Sequence, residues 1–215
     1  MEERREKGLT LVELIITIVL LSVIILAATT FDYSSIYMFE SSRKKAILVN
    51  EMSLIFEHIA KYAVAATGDV ANPGIVVGTK SATESYVILR IDSNKTPDDY
   101  TDDTWVRYEV DHATGPERVY SGSFQEYHIR FCSDWRNTPP RRCNSNWERL
   151  TTRVIPDDHG NYPTFSLASP NVFSLSNVVL LYDPDETPFP RHVRKNPDLY
   201  LTDPVTFNSV SCSIN

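Results

Sequence analysis

The sequence predicts an α+β fold in which one long N-terminal helix packs on an antiparallel β-sheet. Residues 9–67 contain neither proline nor glycine, whereas short runs rich in β-branched and aromatic residues begin at residue 86. A helix followed only by strands indicates segregated helix and sheet rather than alternating βαβ units. The length of 215 residues is typical of one domain with an appendage.

The charge balance excludes a globally basic nucleic-acid-binding protein. The chain carries 28 acidic and 21 basic residues, for a formal net charge of −7. Nucleic acid is therefore not expected as a partner of the whole protein, although a local basic patch remains compatible with this balance. Three cysteines are too few for a disulfide scaffold.

The first element, residues 9–31, is an apolar segment in which Glu13 is the only charged residue. A helix rises about 1.5 Å per residue, so about 20 residues cross a hydrocarbon core of about 30 Å. The segment is long enough to span a membrane. A carboxylate inside it costs on the order of 3 kcal/mol on insertion scales, and such a residue usually has a function and a partner.

Two general explanations fit this segment incompletely. A secretory signal peptide accounts for the basic residues and the apolar run, but Glu13 interrupts the run and no A-x-A-like site follows residues 26–29. A plain membrane anchor accounts for the length but explains neither Glu13 nor the junction between Lys7 and Gly8.

Residues 7–14, KGLTLVEL, resemble the class III leader of type IV pilins and type II secretion pseudopilins. The resemblance combines a basic residue, a glycine, a large apolar residue, the Thr-Leu-x-Glu sequence and the long apolar run. Its one local departure is Leu9, where phenylalanine is commoner in the family.

This resemblance implies a role for each residue of the motif. Prepilin peptidase would remove residues 1–8 as a leader, with Lys7 as the basic residue before Gly8, and would methylate the new N-terminus at Leu9. Glu13 would become the fifth residue of the mature chain. Its carboxylate would pair with the N-terminal amine of a neighbouring subunit, since a buried carboxylate needs a cationic partner.

The resemblance also implies a location and a function. The protein would be a single-pass protein of the cytoplasmic (inner) membrane, with its N-terminus in the cytoplasm and its head outside. The expected partners are prepilin peptidase, other pilin or pseudopilin subunits, the inner-membrane assembly platform and membrane lipid. The chain would be a structural subunit that primes or caps a type IV pilus or a type II secretion pseudopilus. The alternative is a membrane-anchored extracytoplasmic module for binding or adhesion.

The second half of the helix carries one apolar stripe with a spacing of 4, 3, 4, 3, 4, which indicates an amphipathic helix. We expect a helix over residues 9–66, ended by Gly68. Residues 9–35 form its membrane and assembly half, and residues 36–67 its amphipathic half. The stripe comprises Leu48, Met52, Ile55, Ile59, Tyr62 and Ala66.

Residues 68–215 predict a β-rich extracytoplasmic head. Residues 68–84 hold three glycines and one proline and predict a loop. Strands are predicted at residues 86–91, 105–110, 117–120, 127–132, 150–155, 178–182 and 205–211.

The subunit type follows from three further features. Residues 105–121 loosely resemble a hairpin of the J-type minor pseudopilins and of the equivalent minor type IV pilins. Major subunits of the family are usually smaller than this chain, and the K-type tip subunit typically lacks the carboxylate found here at Glu13. The resemblance therefore implies a minor subunit.

Cys132 and Cys143 flank ten residues, SDWRNTPPRR, that predict irregular structure. In an oxidising exported space a bridge between these cysteines would close a loop of about 12 residues and contribute on the order of 3 kcal/mol. We favour this pairing, while pairing of either cysteine with Cys212 stays open.

The remaining head motifs carry weaker signals. Asp98, Asp99, Asp102 and Asp103 form a weak calcium candidate, because carboxylates bind Ca²⁺ but this spacing is not that of an EF-hand; the default is a solvated acidic loop without metal. No nucleophile, metalloprotease or nucleotide-binding motif appears, so we expect neither catalytic residues nor a cofactor.

An arginine-rich loop with nearby tryptophans is a further candidate surface. It could bind DNA or polysaccharide through its charges and rings, but we favour a structural loop held by cysteine. Its residues are Trp135, Arg136, Arg141, Arg142 and Trp147.

Overall fold

The computed structural model describes residues 10–69, 71–96, 99, 102–112, 127–157, 159–183 and 196–209. They form one α-helix, α1 (Leu11–Val64), and twelve strands. The strands are β1 (Ile75–Thr79), β2 (Ser85–Ile91), β3 (Thr104–His112), β4 (Tyr127–Cys132), β5 (Trp135–Arg136), β6 (Arg142–Cys143), β7 (Glu148–Ile155), β8 (Thr164–Ser169), β9 (Val172–Ser176), β10 (Val179–Leu181), β11 (Asp198–Tyr200) and β12 (Val205–Asn208).

The chain divides into two compact units, Met1–Arg43 and Lys44–Asn215. The described part of the first unit is helix throughout. The second unit contains the rest of α1 and all of the strands. Its main sheet has seven antiparallel strands in the order β1-β2-β3-β4-β7-β10-β11, and a smaller sheet has the order β12-β9-β8.

In the second unit, one face of α1 packs on the main sheet. Strand β3 shows how the sheet meets the helix: Val106, Tyr108 and Val110 alternate along it and lie in the same core as the helix residues. The predicted stripe and the α+β fold with an antiparallel sheet are thereby confirmed. The helix residues buried in this core are Leu48, Met52, Ile55, Ile59 and Ala63.

The predicted end of the helix is wrong by two residues. The helix stops at Val64 because the next residues pair with the end of β2: Ala66 forms a bridge with Ile91, and the Thr67 N–H donates to the Arg90 carbonyl at 2.9 Å. Gly68 therefore does not end the helix directly, because the residues just before it, Ala66 and Thr67, pair with β2.

The strand predictions hold for β2, β3, β4, β7, β10 and β12, and the predicted strand at 117–120 lies outside the described residues. The loop predicted over 68–84 is wrong at 75–79, where β1 forms the sheet edge. The irregular segment predicted between the cysteines contains the short pair β5 and β6. Strands β8, β9 and β11 were not predicted, because their serine-rich or very short sequences give a weak strand pattern.

The face of the sheet opposite α1 carries buried charges. Along β3, Arg107, Glu109 and Asp111 alternate with the core residues and are at most 7% exposed. Trp135 covers part of this face, with its ring 4.3 Å from the Arg107 guanidinium, and the Tyr86 ring lies 3.8 Å from the same group. Strand β3 is thus buried on both faces, with apolar residues towards α1 and charged residues on the other side.

Candidate processing and assembly segment

The described part of the N-terminal motif begins with a hydrogen-bonded helix cap. The Glu13 carboxylate accepts the Thr10 N–H at 2.9 Å and the Thr10 hydroxyl at 2.8 Å, and the Glu13 N–H lies 3.3 Å from the Thr10 hydroxyl oxygen. This is a capping box, in which two otherwise unpaired backbone donors at the start of a helix are satisfied reciprocally. The Thr-x-x-Glu spacing therefore has a structural role of its own. Lys7, Gly8 and Leu9 lie outside the described residues.

In the apolar part of α1, three side-chain hydroxyls form hydrogen bonds within the helix itself. The hydroxyls of Thr17, Ser22 and Thr30 each donate to the carbonyl four residues earlier, at 2.7 to 2.8 Å. Such internal bonds satisfy polar groups that have no water partner in lipid. Glu13 is left as the one charged side chain between residues 9 and 31.

The surface of this part of the helix is apolar all round. The large apolar side chains from Leu11 to Phe39 are between 44% and 75% exposed. Within the described residues, α1 is the one helix long and apolar enough to cross a membrane, judged by length and composition. An apolar surface of this extent needs lipid or other apolar helices around it.

A comparison with protein families identifies this segment. Residues 4–29 match the family described as the prokaryotic N-terminal methylation motif, and this motif marks type IV pilin- and pseudopilin-like proteins. The chain thus carries the N-terminal motif of type IV pilin- and pseudopilin-like proteins, and its long N-terminal helix with an antiparallel sheet is consistent with a pilin-like fold. Pilin-like proteins with this motif are structural subunits rather than enzymes. Neither a curated protein nor a solved structure matches the chain.

In the acidic loop between β2 and β3, the described residues Asp102 and Asp103 have different partners. The Asp103 side chain is 1% exposed, and Oδ2 lies 3.3 Å from Arg90 Nε. Burial raises the pKa of Asp103 above its ordinary value, while the charge of Arg90 opposes that rise. Asp102 instead accepts hydrogen bonds from Asn94 and Thr96.

Asp98 lies outside the described residues. Among the residues that the structure describes, no group of three or more His, Cys, Asp or Glu side chains is arranged to hold a metal ion. Asp103 already faces a cation, the Arg90 guanidinium, and the calcium candidate stays a weak prediction.

The two tryptophans of the arginine-rich loop are not free rings on a surface. In the structure Cys132 and Cys143 are joined by a disulfide, with 6.0 Å between their Cα atoms. Trp135 is 7% exposed and packs with Cys132 and Ile88, and the Trp147 ring lies 4.1 Å from the Arg130 guanidinium. The arginines of the same loop remain exposed.

Sequence reasoning missed a network of charges on the face opposite α1. Lys80 lies 3.1 Å from Asp111 and 3.3 Å from Glu109, and Arg130 binds the same two carboxylates at 2.8 and 2.9 Å. Partial burial lowers the pKa of Lys80, but its bonds to Asp111 and Glu109 outweigh that effect and leave the pKa above its ordinary value. The alternation of charged and apolar residues in β3 predicts that the charged residues share one face of the sheet. It does not predict whether that face is exposed to solvent or buried.

Proposed function

We propose that this chain is a minor pilin or pseudopilin, a structural subunit that primes or caps a type IV pilus or a type II secretion pseudopilus. The observation that carries the proposal is Glu13, a carboxylate held one turn into an apolar helix within the methylation motif. An uncharged glutamine could form the same cap and insertion of a carboxylate is costly, so the stability of the helix does not account for the charge. A partner in an assembly provides a reason for it.

Leader cleavage between Gly8 and Leu9 would create that partner. The new amine of Leu9, methylated by the same peptidase, would be positively charged and adjacent to Thr10. In a bundle of parallel helices the amine of one subunit can face the Glu13 carboxylate of its neighbour. The pair would add an ion pair to the hydrogen bonds that the Glu13 carboxylate accepts from Thr10, in a medium of low dielectric constant.

The remaining parts of the proposal follow from this assembly. Residues 1–8 are the leader, residues 9–35 the membrane and assembly half of the helix, residues 36–67 its amphipathic half, and residues 68–215 the extracytoplasmic head. The partners are prepilin peptidase, other pilin-type subunits, the inner-membrane platform and lipid. The subunit sits in the inner membrane with its N-terminus in the cytoplasm before assembly, and it catalyses no reaction.

Processing is tested by co-expression with a prepilin peptidase and mass spectrometry of the N-terminus. The expected product begins with a methylated Leu9, and Gly8→Ala blocks its formation. An intact leader on the wild-type chain, under conditions where a known substrate is cut, would contradict the proposal.

The charge of Glu13 is tested separately from its capping role. Glutamine can still form a capping box, so Glu13→Gln removes the charge while keeping the helix start. We expect this variant to be cut and inserted but not incorporated into a filament. Thr10→Val is the matched variant that weakens the cap and keeps the charge, and it should still be incorporated. Normal incorporation of Glu13→Gln would remove the charge-pairing argument.

An alternative function is a membrane-anchored extracytoplasmic module for binding or adhesion. The exposed arginines of the disulfide-closed loop favour a head that binds a partner. This alternative requires neither leader cleavage nor the Glu13 charge, so the two tests above separate it from a filament subunit.

A further inference from the structure

The aromatic residues in the first unit are concentrated in one short part of α1. Neither residues 9–30 nor residues 40–55 contain a phenylalanine, a tyrosine or a tryptophan. We call the part between them, residues 31–39, the aromatic segment. Its four aromatic side chains are all exposed, and they belong to Phe31, Tyr33, Tyr37 and Phe39.

The rings of the aromatic segment point to several sides of the helix. An α-helix has 3.6 residues per turn, so each residue is rotated by about 100° from the one before it. Measured from Phe31, the other three rings therefore lie at about 80°, 200° and 240° around the helix axis. Tyr33 and Tyr37 are one turn apart, with 5.5 Å between their ring centroids. A partner on one side of a helix is contacted by a single stripe, whereas this arrangement fits a layer that surrounds the helix.

The position of the aromatic segment along α1 matches the boundary of a bilayer. Glu13 and Asp32 enclose a stretch without charge, residues 14–31. This stretch is about 27 Å long at about 1.5 Å per residue, close to the hydrocarbon core of about 30 Å. The headgroup layer adds about 5 to 8 Å on each side. Tyr33 and Tyr37 lie within about 8 Å of Asp32 along the axis, so they fall in this layer at the end opposite Glu13.

The side chains of the aromatic segment suit a layer that is partly apolar and partly wet. A tyrosine has an apolar ring and a polar hydroxyl, and tyrosines are enriched at membrane–water interfaces. The rings alternate with exposed polar residues, namely Asp32, Ser34 and Ser35. A purely apolar cover would leave the Asp32 carboxylate without hydration. A headgroup layer covers the rings and hydrates the carboxylate at the same depth.

We propose that residues 31–39 form an interfacial belt, which lies in the lipid headgroup layer at the C-terminal end of the membrane span and fixes the depth of α1 in the bilayer. The inference rests on the proposed function in requiring that α1 spans a membrane. It goes beyond that function by assigning the segment to one layer of the bilayer. It also places residues 36–39, otherwise part of the amphipathic half, at the membrane.

Depth-dependent fluorescence quenching on the full-length chain tests the belt. Each reporter variant carries one new cysteine together with C212S, and the disulfide between Cys132 and Cys143 leaves the new thiol as the one to be labelled. The labelled chains are reconstituted in vesicles of zwitterionic phosphatidylcholine that contain a nitroxide either on the headgroup or in the middle of the acyl chain. The reporters lie in the belt, in the middle of the uncharged stretch and in the second unit, and they are S35C, L21C and L54C.

We expect a different pattern of quenching for each reporter. The S35C label should be quenched more strongly by the headgroup nitroxide, and the L21C label by the acyl-chain nitroxide. The L54C label should be quenched by neither, because Leu54 lies about 33 Å beyond Asp32 along the helix.

A second pair of variants tests whether the rings set the depth. Replacing all four rings by leucine keeps an apolar helix but removes the preference for the interface, so the S35C label should lose its preference for the headgroup nitroxide. I36L/M38L is the matched control in the same segment, and it should leave the quenching pattern unchanged. Circular dichroism reports whether each variant is helical. The ring variant is F31L/Y33L/Y37L/F39L.

Three results would overturn the inference. They are an S35C label quenched more strongly by the acyl-chain nitroxide, an S35C label quenched by neither nitroxide, and an unchanged pattern in the ring variant. Quenching of S35C that disappears as the ratio of protein to lipid rises would identify neighbouring copies as the cover instead. An L21C label protected from both nitroxides would overturn the membrane span itself. The uncut chain is used throughout, so failure of the leader test leaves the result interpretable.

Discussion

The carboxylate of Glu51 on α1 binds the guanidinium of Arg153 on β7, with 3.0 Å between Oε2 and Nη1. Its other oxygen accepts a hydrogen bond from the Thr151 hydroxyl at 2.5 Å. An apolar stripe holds a helix on a sheet but tolerates small sliding and rotation. The directional contacts of Glu51 define one position of the helix on the sheet.

Replacing Glu51 with alanine should destabilise the second unit by about 1 to 2 kcal/mol, because a charged acceptor is removed from two partners that are only partly exposed. Urea unfolding in detergent, followed by circular dichroism, measures the change. Glu57→Ala, on the exposed side of the same helix, should change the free energy of unfolding by less than about 0.5 kcal/mol. Equal effects of the two substitutions would show that the Glu51 contacts contribute no specific stability.

The helix–sheet core should be most sensitive at Ile59, which is 0% exposed. Ile59→Ala should cost about 2 to 5 kcal/mol, through lost burial and the cavity left behind. Leu54→Ala is the matched control because Leu54 lies on the same helix and is 58% exposed. The same unfolding measurement compares them, and a small effect at Ile59 would contradict the packing of α1 on the sheet.

Removal of the disulfide should release the β5–β6 hairpin from the face opposite α1. C132S/C143S is expected to lose on the order of 3 kcal/mol of stability, through the added freedom of the unfolded loop. It should also shift tryptophan emission to longer wavelength as Trp135 becomes exposed. Treatment of the wild type with a reducing agent should give the same shift, whereas C212S should leave the emission unchanged. An unshifted spectrum in C132S/C143S would show that the Trp135 packing holds without the bridge.

His58 should make stability fall at mildly acidic pH. Its Nδ1 lies 3.0 Å from the Tyr108 hydroxyl. Burial lowers the pKa of His58 below its ordinary value of about 6.5, with the charge of Glu148 opposing and that of Lys61 adding to the shift. The unfolded chain therefore binds this proton more readily, so the stability that neutral His58 contributes is present above about pH 6.5 and is lost as pH falls toward the lowered pKa.

His58→Gln isolates this effect, since other titrating groups are common to both chains. We expect the difference in unfolding free energy between wild type and variant to shrink between pH 7.5 and pH 5.5. A difference that stays constant or grows on acidification would contradict a lowered pKa. An NMR titration of the His58 ring gives an independent check.

Much of this structure could be predicted because the relevant signals are local. The helix stripe from Leu48 to Ile59 follows from residue spacing, and the strongly alternating β3 is read in the same way. Strand β1 was missed because its glycine-flanked sequence resembles a loop, and it becomes a strand by pairing with β2. The β5–β6 pairing was missed as well. Without it, Trp135 and Arg136 are expected on one surface, whereas in strand β5 their side chains face opposite sides.

The sequence alone determined the N-terminal segment. Thr10 and Glu13 are part of the apolar run, and their spacing sets a helix cap and a lone charge before any tertiary contact forms. The tertiary structure alone decided the strand order, the burial of Glu109 and the direction of Trp135. These features depend on which strands and charges meet although they are far apart in the sequence. The stability of such a pairing depends on both partners, so neither segment predicts it by itself.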